Sequence, residues 1–198
     1  MRRRAFDVIA STVGLGLAVL LVTAGGLLTW AHNFVQDEVH SQLAAQQVYF
    51  PPKGSDSLTE LKGADFAAID QYAGQQLTTG DQAEAYADHF IAVHLRAIGG
   101  GQTYAQLSSK AIADPTNVEL QGQVAAMFKG ETLRGLLLNA YAFGKMGTIA
   151  GIAAIVAFVG GGVMALLAGL GYWHSRRVPE STEILGAHHQ IPEIERIL

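Results

Sequence analysis

The chain contains no cysteine, which excludes a disulfide scaffold and any thiolate metal site. Charge is scarce: Asp, Glu, Lys and Arg make up 15% of the 198 residues, against roughly 25% in an average soluble domain. Lys and Arg number 13 and the formal net charge is −4, so the basic footprint of a nucleic-acid binder is missing. No run alternates apolar and polar residues between turn signals, so no strand is expected. What is abundant is apolar sequence. It reaches 49% of the chain, with mean hydropathy +0.23, too hydrophobic for a disordered polymer.

Two stretches carry most of that hydropathy. Val8 to Ala31 is 24 residues without a charge, and Met146 to Trp173 is 28. About 20 helical residues cross a hydrocarbon core of about 30 Å. Only a helix satisfies its own backbone in lipid, so both are read as helices despite their glycines. Trp30 closes the first, and Tyr172 and Trp173 close the second, where aromatic rings suit the headgroup level. Arg2, Arg3 and Arg4 precede the first run, whereas His32 to Gln47 has no Lys or Arg. The positive-inside rule then places the N-terminus in the cytoplasm, and a second span returns the tail there. A cleaved signal peptide is the competing reading; its apolar region would be about 7–15 residues, and no Ala-x-Ala site lies near Trp30.

Residues 32–145 number 114 and carry seven basic against twelve acidic side chains, enough for an acidic domain of their own. Phe34 to Tyr49 reads as a helical stalk continuing the first span, stopped by Pro51-Pro52. A short helix is expected from Thr59 or Asp65 to about Gln76. Thr79 with Gln82 matches a capping box and opens a helix to about Ile98, ended by Gly99-Gly100-Gly101. Tyr104 to Ala113 is a further helix. Asp114-Pro115 reads as the start of another, to about Phe128. After Gly130, Glu131 to Lys145 joins the second span.

Chemistry is thinly signalled. Glu84 or Asp88 with His89 and His94 is the one candidate set for a two-histidine, one-carboxylate metal site. Spacing disfavours it, because residues five apart on a helix diverge by about 140°. No phosphate loop or nucleophile elbow is present. The spans contain no ionisable residue, so neither marks an ion path. They do contain small residues at helical spacing: Ala10, Gly14 and Ala18 in the first, Gly147 and Gly151, then Ala165 and Gly169, in the second. Such spacing lets helix backbones approach closely in lipid. Ile191 to Leu198 reads as a disordered tail end, with a short docking segment as the alternative.

Arg2-Arg3-Arg4-Ala5-Phe6-Asp7, Tyr49-Phe50-Pro51-Pro52-Lys53, Gln71-Tyr72-Ala73-Gly74-Gln75-Gln76-Leu77, the run Ala83 to Ile91, and Thr132-Leu133-Arg134-Gly135-Leu136-Leu137 together resemble a family of actinobacterial two-span membrane proteins. The resemblance covers about residues 1–173. Members often carry the automatic label of an aromatic ring-opening dioxygenase, small-subunit type, so it implies membrane topology and, through the label, an oxygenase. It supplies no site residues.

The expectation is an all-α protein: two transmembrane helices forming a hairpin, with an extracytoplasmic helical domain between them. The segments are a cytoplasmic N-terminus (1–7), helix one (8–31), the external domain (32–145), helix two (146–173) and a cytoplasmic tail (174–198). The expected location is a bacterial cytoplasmic membrane. The expected role is a non-catalytic, partner-binding or accessory subunit without a cofactor. Its partners would be the bilayer and either another membrane protein or a second copy, and no nucleic acid. A metal-dependent dioxygenase-like enzyme and an external sensor are the alternatives.

Overall fold

The computed structural model describes residues 3–177 and Pro179; the tail segment Ile191 to Leu198 lies outside the described residues. Within them the chain is helical: α1 (Arg3–Ala45), α2 (Asp56–Thr59), α3 (Gly63–Asp70), α4 (Gly80–Tyr86), α5 (Ala92–Ile98), α6 (Tyr104–Ala113) and α7 (Val118–Ser175). Ala87–Ile91 joins α4 to α5 as a π-helical turn. No strand forms among the described residues; the sole ladder contact is an isolated antiparallel bridge between Tyr49 and Gln76. Both α1 and α7 are long and apolar enough to cross a membrane, with mean hydropathy 2.2 and 2.3 in their richest windows. Two compact units can be described, residues 3–28 with 153–177, and residues 29–152.

In the first unit the start of α1 packs against the end of α7. A Cβ placed on Gly14 would lie 3.6 Å from the Ala168 Cβ, and one on Gly161 would lie 3.3 Å from the Ala18 carbonyl oxygen. Gly25 faces the Phe158 ring at 3.0 Å by the same measure. Residue numbers rise on one helix as they fall on the other, so the two segments are antiparallel. The buried residues here are small: Ser11, Ala18, Ala154, Ala157, Ala168 and Ser175. Small side chains permit this close approach. The Thr12 and Tyr172 hydroxyls share a hydrogen bond of 2.6 Å. Larger apolar side chains point outward: Leu20 is 61% exposed, Ile155 65% and Leu166 69%.

The second unit has a core built by Val39 and Leu43 of α1, Phe50, Leu58, Leu61, Ile69, Leu77 and Ala83. The α1 helix ends at Ala45, four residues earlier than Tyr49, because Gln47 turns left-handed at φ 53°. The chain after it is pinned by the segment that follows α3. Phe50 N–H donates to the Gln75 carbonyl at 2.9 Å, and Leu77 N–H donates to the Val48 carbonyl at 2.9 Å. Gly74, at φ 73°, makes the turn that brings this segment back. The α3 helix starts at Gly63 and stops at Asp70, so the stretch to Gln76 is turn and extended chain.

Two further helix boundaries differ from expectation. Asp114-Pro115 is a turn, and α7 starts at Val118, where Asn117 Oδ1 accepts from Leu120 N–H at 3.0 Å. Asparagine is as good an N-cap as aspartate. Gly130 does not break α7. Leu95 packs onto it so closely that a Cβ there would sit 3.2 Å from Leu95 Cδ1 and nearer still to Cδ2. The missing side chain serves helix packing, and the helix continues through it.

Candidate binding groove

The α4–π turn–α5 rod runs antiparallel to the first half of α7. A Cβ on Gly80 would lie 3.3 Å from the Ala140 carbonyl and 3.4 Å from Gly144. Asp88 pairs with Arg134 at 2.7 Å, Leu95 sits on Gly130, and Gly99 reaches Met127. The rod starts where the sequence places it. The Thr79 side chain accepts from Gln82 N–H at 3.3 Å, and Gln82 Oε1 accepts from Thr79 N–H at 3.1 Å. Gln82 Oε1 also accepts from Thr78 N–H at 2.8 Å, so one buried amide closes two backbone donors.

Between this rod, the end of α1 and the start of α7 lies a groove of about 860 Å³. That is within the roughly 300–1,000 Å³ of pockets that enclose small ligands. One wall is α1 from Phe34 to Leu43 with Gln46 just past its end, the second is the rod from Tyr86 to Ile98, and the third is α7 from Ala126 to Phe143. The floor is buried Val39, Leu43, Leu77 and Leu95. The rim is apolar and open: Phe34 is 56% exposed, Leu133 55%, Leu136 61% and Phe143 56%. Exposed apolar surface of this kind is typical of interaction sites, membrane contacts and ligand-binding grooves.

An aromatic series fixes the second wall. Phe50 meets Tyr86 edge-on at 5.3 Å, Tyr86 lies 4.8 Å from Phe90, and Phe90 lies 4.4 Å from His94. His94 Nδ1–H donates to the Phe90 carbonyl at 2.7 Å, which holds its ring against the wall. Burial pushes the Tyr86 hydroxyl above its ordinary range, so it remains a neutral phenol. Besides Tyr86, the polar lining is Glu38, Gln42, Gln46 and His94, and among the described residues no Lys or Arg lines the groove. Gln42 donates to Glu38 at 2.8 Å.

The residues singled out as metal ligands are engaged separately. His89 Nδ1 lies 2.7 Å from Asp65 Oδ1 of α3, a carboxylate that also faces Arg96 at 3.7 Å. Asp88 accepts from Arg134 through both Nε and Nη2. This hydrogen bond holds the guanidinium above its usual pKa, with Glu131 adding to it. His94 is turned to its own helix, and Glu84 lies near the Lys145–Asp81 pair. No group of three His, Asp or Glu able to hold a metal forms among the described residues.

The small residues singled out for packing fall into two sets. Gly14 faces Ala168, and Ala18 is buried beside Gly161. In the second unit a Cβ on Gly147 would press on Val35 at 3.1 Å, and one on Gly151 would press on the His32 ring at 2.9 Å. His32 Nδ1 lies 2.7 Å from the Gly147 carbonyl, and Gln36 donates to the Gly144 carbonyl at 3.2 Å. Ala165 is exposed and Gly169 has open space beside it. In the first unit, Gly161, Ala168 and Gly171, which the spacing did not single out, make close contacts of α7 with α1.

No protein-family model matches the chain, and neither a curated protein nor a solved structure does.

Proposed function

We propose that this chain is a bilayer-anchored, non-catalytic binding protein whose segment 29–152 holds an apolar guest in the groove, as a partner-binding or accessory subunit. The groove is the observation that carries the reading. It is enclosed by three helical walls, lined by apolar side chains and rimmed by exposed Phe34, Leu133, Leu136 and Phe143. Burying such side chains contributes roughly 1.5–3 kcal/mol each, which favours an apolar occupant over water. The anchoring half rests on α1 and α7, whose most apolar windows are only 11% and 17% buried. A core helix would bury most of that surface; lipid contact would cover it here. Arg2 to Arg4 before the first apolar run favour a cytoplasmic N-terminus, with segment 29–152 outside.

Two measurements test this. In bilayer discs, the uncharged dye Nile red should show a saturable emission component that Leu133→Glu abolishes, above a non-saturable background of dye in lipid. Identical titrations of the two proteins would end the groove reading. For orientation, a single cysteine at Asp81, 64% exposed at its side chain, should react with an impermeant thiol reagent in intact cells. Reaction only after lysis would place the segment inside.

A further inference from the structure

The position and lining of the groove select among apolar guests. Its α7 wall runs from Ala126 to Phe143, a rise of about 25 Å at helical pitch. The slot is long and lined mostly by apolar side chains. Its position in the sequence points to where apolar guests come from. Phe34 lies three residues after Ala31, where the first uncharged run ends, and Phe143 lies three residues before Met146, where the second begins. On both long helices the slot therefore begins where the apolar run stops. Besides Tyr86, its polar side chains are one carboxylate, Glu38, two glutamines at four-residue steps, Gln42 and Gln46, and His94. With no Lys or Arg in the lining among the described residues, an anionic phosphate would find no cation there to pair with. Hydroxyl and ester groups would find amide donors and carboxylate or amide acceptors.

We propose that the slot takes the acyl chain of an uncharged, hydroxyl- or ester-bearing membrane lipid, drawn sideways from the bilayer. The inference rests on the anchored-groove reading above and names its guest. The test uses the full chain in bilayer discs containing either a photoreactive diazirine diacylglycerol or the matching diazirine phosphatidylglycerol. After illumination, cross-linked peptides are mapped. The diacylglycerol probe should label peptides from 86–98 and 126–143, and Leu133→Glu should cut that labelling at least about fivefold. Ala126→Trp, which fills the slot without adding charge, should do the same. The anionic probe should label only 8–31 and 146–173. Diacylglycerol labelling confined to those two runs, or groove labelling unchanged in both variants, overturns the proposal, as does equal groove labelling by the anionic probe. A groove that binds Nile red yet excludes the lipid probe removes the lipid inference alone; a groove that binds neither removes the binding reading as well.

Discussion

Phe50→Ala is the substitution that tests the second unit most directly. Phe50 is 1% exposed. Its ring centroid lies 5.1 Å from Tyr72 and 5.3 Å from Tyr86, the latter edge-on. Around it stand Val39, Leu43, Leu58, Ile69 and Leu77. The backbone hydrogen bond to Gln75 survives in the variant, so the loss is one of packing. Truncating a buried phenylalanine costs about 3–5 kcal/mol, and two aromatic pairs place this site in the upper half, near 4 kcal/mol. For a unit of this size each kcal/mol moves Tm by about 3–5 °C, so a fall of roughly 12–20 °C is expected. The assay is thermal unfolding of the full chain in mild detergent, followed by near-ultraviolet circular dichroism. Five of the six tyrosines and one of the two tryptophans lie in 29–152, so most of that signal reports on this unit. Phe34→Ala is the matched control: its ring is 56% exposed, and Tm should move by less than about 4 °C. A Phe50→Ala protein melting within about 3 °C of the parent, or a control that loses as much, would refute the placement of Phe50 at the centre of this core.

Gln82→Ala removes the shared acceptor of the Thr78 and Thr79 N–H groups and should cost about 1–3 kcal/mol by thermal unfolding; Gln82→Glu, which keeps the acceptor, should cost less. Asp88→Asn should cost no more than about 1 kcal/mol, because Asp88 and Arg134 are each about one-third exposed and water screens the pair. Since the parent chain has no cysteine, introduced pairs report without background. Gly14→Cys with Ala168→Cys should oxidise to an intramolecular disulfide, the Cβ separation of 3.6 Å matching the roughly 3.5–4.5 Å of such bonds. Gly14→Cys with Gly169→Cys should not, and equal cross-linking of both pairs on reducing and non-reducing gels would refute the packing register.

Elements governed by local chemistry were legible in the sequence. Thr79 with Gln82 announced a helix start, and the uncharged runs announced helices long and apolar enough to span. Gly14, Ala18, Gly147 and Gly151 sit at helix contacts because close approach needs small side chains whatever the partner. What the partner is could not be read: only the fold shows that His32 fills the space over Gly151, or that Gly130 is a seat for Leu95 and no helix stop. The groove was illegible for a related reason. Its walls come from residues 34–46, 86–98 and 126–143, and each alone reads as one more amphipathic helix. The π-helical turn also left no trace, since Ala83, Tyr86, Ala87, Phe90 and Val93 keep helical spacing on either side of it.

That turn has a bearing on how the protein tolerates length changes. A π turn accommodates one surplus residue within an α-helix, and each residue turns the helix by about 100°. Excising one position between Ala87 and Ile91 would leave an uninterrupted α-helix of better local geometry. It would also swing Leu95 off its glycine seat while Tyr86 stayed on Phe50. The extra residue thus acts as a phase shifter, setting the two ends of a single rod to face different neighbours.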